Sequence, residues 1–148
     1  MTYRIVIDTN LTVSAFVWGG LSLQLFDQTV AHRIPILISQ AMIDELETTL
    51  RKPKFVPYLK ARNPTVEGIL SRVTALTEPV TPAILPDLVV RDPKDQIILA
   101  AAVGGKASHL ISGDKDLTSL EKYQAIIILT AAEFLALLNP PADEPPKE

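Results

Sequence analysis

The sequence predicts an α/β domain: a parallel sheet covered by helices on both faces. Three observations lead there. Short runs such as Ile5-Val6-Ile7, Ile36-Leu37-Ile38, His109-Leu110-Ile111 and Ile126-Ile127-Ile128-Leu129 are nearly continuous in apolar character, as strands buried on both faces are. Stretches with apolar residues at helical spacing separate them. The chain has 148 residues, 47% of them hydrophobic and none of them cysteine, enough for one core without disulfides.

In chain order, Tyr3 to Ile7 is the first strand, expected to end in a polar loop at Asp8-Thr9-Asn10. An apolar stretch from Leu11 to Val17 is broken by Gly19-Gly20, and Leu21, Leu25, Phe26 and Val30 mark a helix reaching Ala31. Pro35 opens the second strand, Ile36 to Ile38. Ser39 has the chemistry of an N-cap for a helix from Gln40 to Leu50, with Met42, Ile43, Leu46 and Leu50 as its apolar stripe. Pro53, Pro57 and Pro64 predict short helices separated by turns, and Thr65 to Leu76 a longer one.

Four prolines from Pro79 to Pro93 predict an extended passage holding a short edge strand. A helix from Asp95 to Val103 follows, with Gly104-Gly105 as its stop. His109 to Ser112 is a strand, Gly113 to Asp116 the loop beyond it, and Ile126 to Leu129 a further strand after a short helical stretch. Thr130 caps a last helix from Ala131 to Leu138. One domain over residues 1–138 is expected, with 139–148, which carries four prolines and no large apolar side chain, as a disordered tail.

Composition narrows the function. Without cysteine there is no thiolate metal site, and two histidines, His32 and His109, are too few for a histidine-rich zinc centre. The longest apolar run, Ile97 to Val103, is seven residues, far short of a membrane span. Asp8 interrupts anything resembling a signal sequence, so a cytoplasmic protein is expected. A net charge of −3 does not decide for or against a nucleic-acid partner.

The acids are more informative. Ligands of parallel sheets bind beyond the carboxyl ends of the strands. Asp8, Glu45, Asp95, Asp114 and Asp116 all fall where they can point to that edge. Several converging carboxylates do not stay ionised together without a cation, and an all-oxygen ligand set favours magnesium or manganese. Such an ion activates water and stabilises charge at phosphorus, so a metal-dependent phosphodiesterase is expected.

Asp8-Thr9-Asn10, Asp44-Glu45-Leu46, Arg91-Asp92-Pro93-Lys94-Asp95 and Ser112-Gly113-Asp114-Lys115-Asp116, in that order, resemble the motifs of the PIN-domain ribonucleases, in particular the toxins of prokaryotic toxin–antitoxin pairs. The resemblance runs from Tyr3 to Leu138. It implies a three-layer sandwich with a parallel sheet of strand order 3-2-1-4-5. It also implies magnesium (with manganese as a substitute), single-stranded RNA as substrate, a small antitoxin partner and a homodimer. Asp8, Glu45, Asp95 and Asp114 would be catalytic metal ligands, joined by Asp116. Asn10 and Ser112 would orient the carboxylates by hydrogen bonding. Many family members carry threonine where this chain has Ser112; the hydroxyl is kept.

Blander readings stand beside these. Asp8-Thr9-Asn10 is also a turn sequence, and Asp116 a cap for the turn that follows it. Asp92-Pro93 is a standard helix start, so Asp92 is taken as structural. Arg51, Lys52, Lys54, Lys60 and Arg62, interleaved with Phe55 and Tyr58, form either a solvated face or an RNA-tracking patch, with Arg51, Lys52 and Lys54 the candidates for RNA contact. Trp18 is either a core residue or a lip of the site. A haloacid-dehalogenase-type phosphatase would need an acid where Asn10 stands. A non-catalytic metal- or partner-binding module of the same fold is the remaining alternative.

Overall fold

A computed structural model describes residues 2–62 and 65–140, with side chains 61 and 62 left aside. Strand β1 (Ile5–Ile7) leads into helices α1 (Thr9–Val17) and α2 (Gly20–Ala31), then β2 (Ile36–Ile38) and α3 (Gln40–Leu50). A 3₁₀ turn (Pro53–Phe55), α4 (Val56–Arg62), α5 (Val66–Leu76) and β3 (Glu78–Pro79) form the middle. They are followed by α6 (Pro93–Gly104), β4 (His109–Ile111), α7 (Lys115–Thr118), β5 (Lys122–Tyr123), β6 (Ile126–Leu129) and α8 (Ala131–Leu138).

The sheet runs β3-β2-β1-β4-β6-β5. Its first five strands are parallel and follow the expected 3-2-1-4-5 path, the fifth expected strand being β6. One correction is needed at the edge, where the two-residue β5 pairs antiparallel with β6. Two residues carry no periodicity, so β5 has no sequence signal. Every residue of β1, β2 and β4 is buried, as a sheet covered on both faces requires. Around it α1 packs on α2 and α3, α2 on α8, and α6 against β1, β2 and β4.

Local chemistry sets most boundaries. Ser39, Thr65 and Thr130 each cap a helix by accepting a backbone N–H, and Thr130 with Glu133 forms a capping box. The polar loop expected at Asp8-Thr9-Asn10 is instead a helix start: Asp8 is the N-cap and Thr9 and Asn10 the first turn of α1. The helix expected from Asp95 begins two residues earlier, at Pro93, capped by Asp92. Gly104 is the last residue of α6, and a Cβ there would lie 2.0 Å from the Thr81 carbonyl oxygen; close packing of the proline-rich passage, rather than a left-handed turn, demands glycine.

His109 is buried between Tyr3 and Phe134, with ring centroids 5.1 and 5.7 Å away, and burial holds its pKa below the ordinary value. His32 closes α2, its Nδ1 2.7 Å from the Gln28 carbonyl oxygen. Neither histidine lines the acidic cleft described next. Among the described residues no helix is long and apolar enough to cross a membrane. The expected turn at Pro64 and most of the expected tail, residues 141–148, lie outside the described residues.

Candidate active site

The parallel register carries β1 and β4 to the same sheet edge, with Ile7 opposite Ile111. The Asp8 N–H continues the ladder to the Ile111 carbonyl at 3.0 Å. Beyond it, Asp8 Oδ1 accepts from Leu11 N–H at 2.8 Å, while Oδ2 accepts from the Ser112 hydroxyl and from Gly113 N–H at 3.3 Å. Only 3% of Asp8 is exposed. Burial raises its pKa, the Ser112, Leu11 and Gly113 hydrogen bonds oppose that rise, and the Asp114 charge adds to it. The Ser112 hydroxyl also accepts from the Asp114 backbone N–H at 3.0 Å, so it links the Asp8 carboxylate to the Asp114 main chain. Asn10 does not: it lines the cleft but is exposed, and among the described residues it hydrogen-bonds no carboxylate. As the second residue of α1 it has a helical backbone that turns its side chain toward solvent.

Asp95 sits in the first turn of α6, where Pro93 occupies the first helical position and Asp92 caps by accepting from Lys94 N–H at 3.0 Å. The Asp95 side chain is buried, and its Oδ2 has no hydrogen-bond partner. Burial pushes the Asp95 pKa up to about 7, helped by hydrogen bonding to Asp114 and by the charges of Asp114, Asp92 and Asp8. Asp114 caps α7, its Oδ1 accepting from Asp116 N–H at 2.8 Å. The capping reading considered for Asp116 therefore belongs to Asp114. Asp95, Asp114 and Asp116 each offer a carboxylate oxygen within 4.8 Å of the others. Asp8, Glu45, Asp92, Asp95 and Asp114 line one cleft with Thr9, Asn10, Lys94 and Ile98.

Glu45 projects from α3, whose Met42 and Leu46 are buried. Its Oε1 accepts from the Thr49 hydroxyl at 3.2 Å and lies 3.1 Å from Lys94 Nζ. Arg91 reaches Asp116 at 3.4 Å. Sequence reasoning missed both cations, although Arg91 and Lys94 flank the quoted Asp92-Pro93 motif. The basic run further back behaves differently. Arg51 is held by Glu47 and Glu67, each at 2.9 Å, the second of these sixteen positions away and invisible to local pattern. Lys52 and Lys54 are exposed, Lys54 lies over the Phe55 ring, and none of these three basic residues lines the cleft. Phe55 is buried and so cannot stack on a base, whereas Tyr58 and Trp18 are half-exposed and meet edge-to-face. Trp18 thus packs on Phe55 with one side in solvent, between the two readings considered for it.

This arrangement can hold a hard divalent cation. Asp95 Oδ2 is a buried acceptor without a donor, a position that costs free energy unless a proton or a cation satisfies it. Carboxylate oxygens of Asp95 in α6, of Asp114 at the cap of α7 and of Asp116 in its first turn lie within 4.8 Å of one another. No curated protein and no solved structure matches the sequence. The family model for the PIN domain matches residues 4–116, a span that begins before β1, ends within α7 and includes every acid of the cleft. PIN domains are generally nucleases that bind divalent metals. The chain belongs to the PIN-domain family.

Proposed function

We propose that the protein is a magnesium-dependent endoribonuclease that cleaves phosphodiester bonds of single-stranded RNA, and that it is the toxin of a toxin–antitoxin pair. The observation that carries the nuclease reading is the unpartnered, buried Oδ2 of Asp95, whose carboxylate gathers with those of Asp114 and Asp116 at a cleft that Asp8 also lines. Asp8, Asp95 and Asp114 would hold the ion, with Asp116 and Glu45 completing the set. Both protein contacts of Glu45 fall on Oε1, leaving Oε2 without a partner among the described residues. Magnesium, or manganese in its place, would supply Lewis acidity toward water and the phosphoryl oxygens.

The chain's own groups orient this set. The Ser112 hydroxyl fixes Asp8 Oδ2 and the Asp114 backbone together, and the Leu11 N–H fixes Asp8 Oδ1. In-line attack at phosphorus with departure of the 3′ oxygen leaves a 5′-phosphate and a 3′-hydroxyl. A homodimer held inactive by a small antitoxin laid over the acidic groove completes the proposal, which rests there on the family resemblance. Lys52 and Lys54, both exposed, remain the candidates for contacts to distant RNA, while Arg51 is already committed to Glu47 and Glu67.

The test is incubation of purified protein with end-labelled single-stranded RNA, with magnesium and with EDTA. Cleavage only with magnesium, lost in a folded Asp8→Asn variant, is the expected result. Absence of cleavage in both conditions, or undiminished cleavage by Asp8→Asn, contradicts the reading and favours a non-catalytic module.

A further inference from the structure

Five acids line the cleft, and Lys94 is the one basic residue among the lining side chains described. Its ammonium is held 3.1 Å from Glu45 Oε1, and the Thr49 hydroxyl braces that same oxygen from the next turn of α3. The Lys94 side chain is 52% exposed while that of Glu45 is 20% exposed, so the anchor is inside and the cation faces out. Three residues earlier Arg91, 90% exposed, is drawn toward Asp116 at 3.4 Å. Half-exposed pairs of this kind contribute little to folding stability, so stability does not account for two cations at this mouth. An RNA strand does account for them. It brings a row of negative phosphates to a cleft lined by carboxylates, and an ion held inside leaves the flanking phosphates uncompensated. Lysine offers a compact charge with three donors and arginine a planar fork, both suited to phosphate oxygens.

We propose that Lys94, positioned by Glu45, and Arg91, positioned by Asp116, form a two-point clamp for the backbone phosphates of single-stranded RNA at the mouth of the acidic cleft. The inference rests on the nuclease reading and adds the residues that seat the substrate. It is tested by fluorescence anisotropy of labelled single-stranded RNA across a potassium chloride series, with EDTA present so that RNA is bound and not cut. Wild type, Lys94→Met, Arg91→Met and Lys94→Arg are compared. Each Met variant is expected to bind several-fold more weakly and to lower the slope of log affinity against log salt by about 0.7, the value for one lost phosphate contact on a single strand. Lys94→Arg should restore most of the binding. The shift in melting temperature on adding manganese should be the same in Lys94→Met as in wild type.

If wild type cleaves RNA with magnesium while Lys94→Met binds as wild type does, or while no form binds with EDTA, the clamp is overturned and the nuclease reading stands. A Lys94→Met variant that also loses its manganese shift acts through the ion site and overturns the clamp as well. Wild type that neither binds nor cleaves RNA overturns both.

Discussion

Asp95 is the cleft acid whose side chain keeps a buried oxygen without a donor. Its carboxyl is buried, faces three other acids and has one oxygen without a donor, and its pKa is pushed up to about 7. Because the folded pKa lies above the unfolded value of 3.8, the metal-free native state binds more protons than the unfolded chain between the two. Stability is therefore expected to be greatest below about pH 4 on account of this group, and to fall as pH rises toward 7. Asp95→Asn should flatten that fall and melt higher than wild type at pH 8 in EDTA. Thermal melts from pH 4 to 8 check this, and an unchanged pH slope in the variant contradicts it. At this scale the sequence was legible for position: Asp8, Asp95 and Asp114 follow strands or open a helix, and the structure brings all three to one cleft. It was not legible for partners. Nothing local shows that Lys94 reaches Glu45, or that Asn10 turns outward once Asp8 becomes a helix cap.

At the scale of elements, caps and close approaches position the acids. Asp92 holds the first turn of α6, and so the Asp95 backbone, by accepting from Lys94 N–H. Asp92→Ala is expected to cost about 0.5–2 kcal/mol, the usual worth of a cap, while RNA cleavage is largely retained. Urea unfolding alongside an activity assay measures both; loss of all activity at unchanged stability would place Asp92 among the metal ligands. The other end of α6 is fixed by Gly104, where a Cβ would meet backbone at 2.0 to 2.8 Å. Gly104→Ala should destabilise by about 1–3 kcal/mol, since backbone cannot move aside as a side-chain tip can. A variant as stable as wild type would show that the proline-rich passage yields. Capping explains why the helices were so readable: Ser39, Thr65, Asp92 and Thr130 act on N–H groups two or three residues away. The edge strand expected in the proline-rich passage is the two-residue β3 at its start, whereas β5, also two residues, exists through pairing with β6, which no local pattern encodes.

In the whole molecule, the fold gathers like charge at one sheet edge and surrounds it with elements that resist moving apart. Asp8 is fixed by β1 and α1, Asp95 by α6, and Asp114 by the turn leaving β4, so none can retreat without unpacking the core. Such crowding is a standing destabilisation, which a divalent cation binding the native state in preference to the unfolded chain would convert into linkage stabilisation. The most direct measurement is thermal unfolding of wild type and Asp114→Asn, first with EDTA and then across a magnesium series. Asparagine still caps α7, so the substitution removes charge with little change in packing. With EDTA, Asp114→Asn should melt above wild type; with magnesium, wild type should gain the larger shift. Equal magnesium shifts, with Asp114→Asn merely destabilised, would mean that these carboxylates do not meet at a cation.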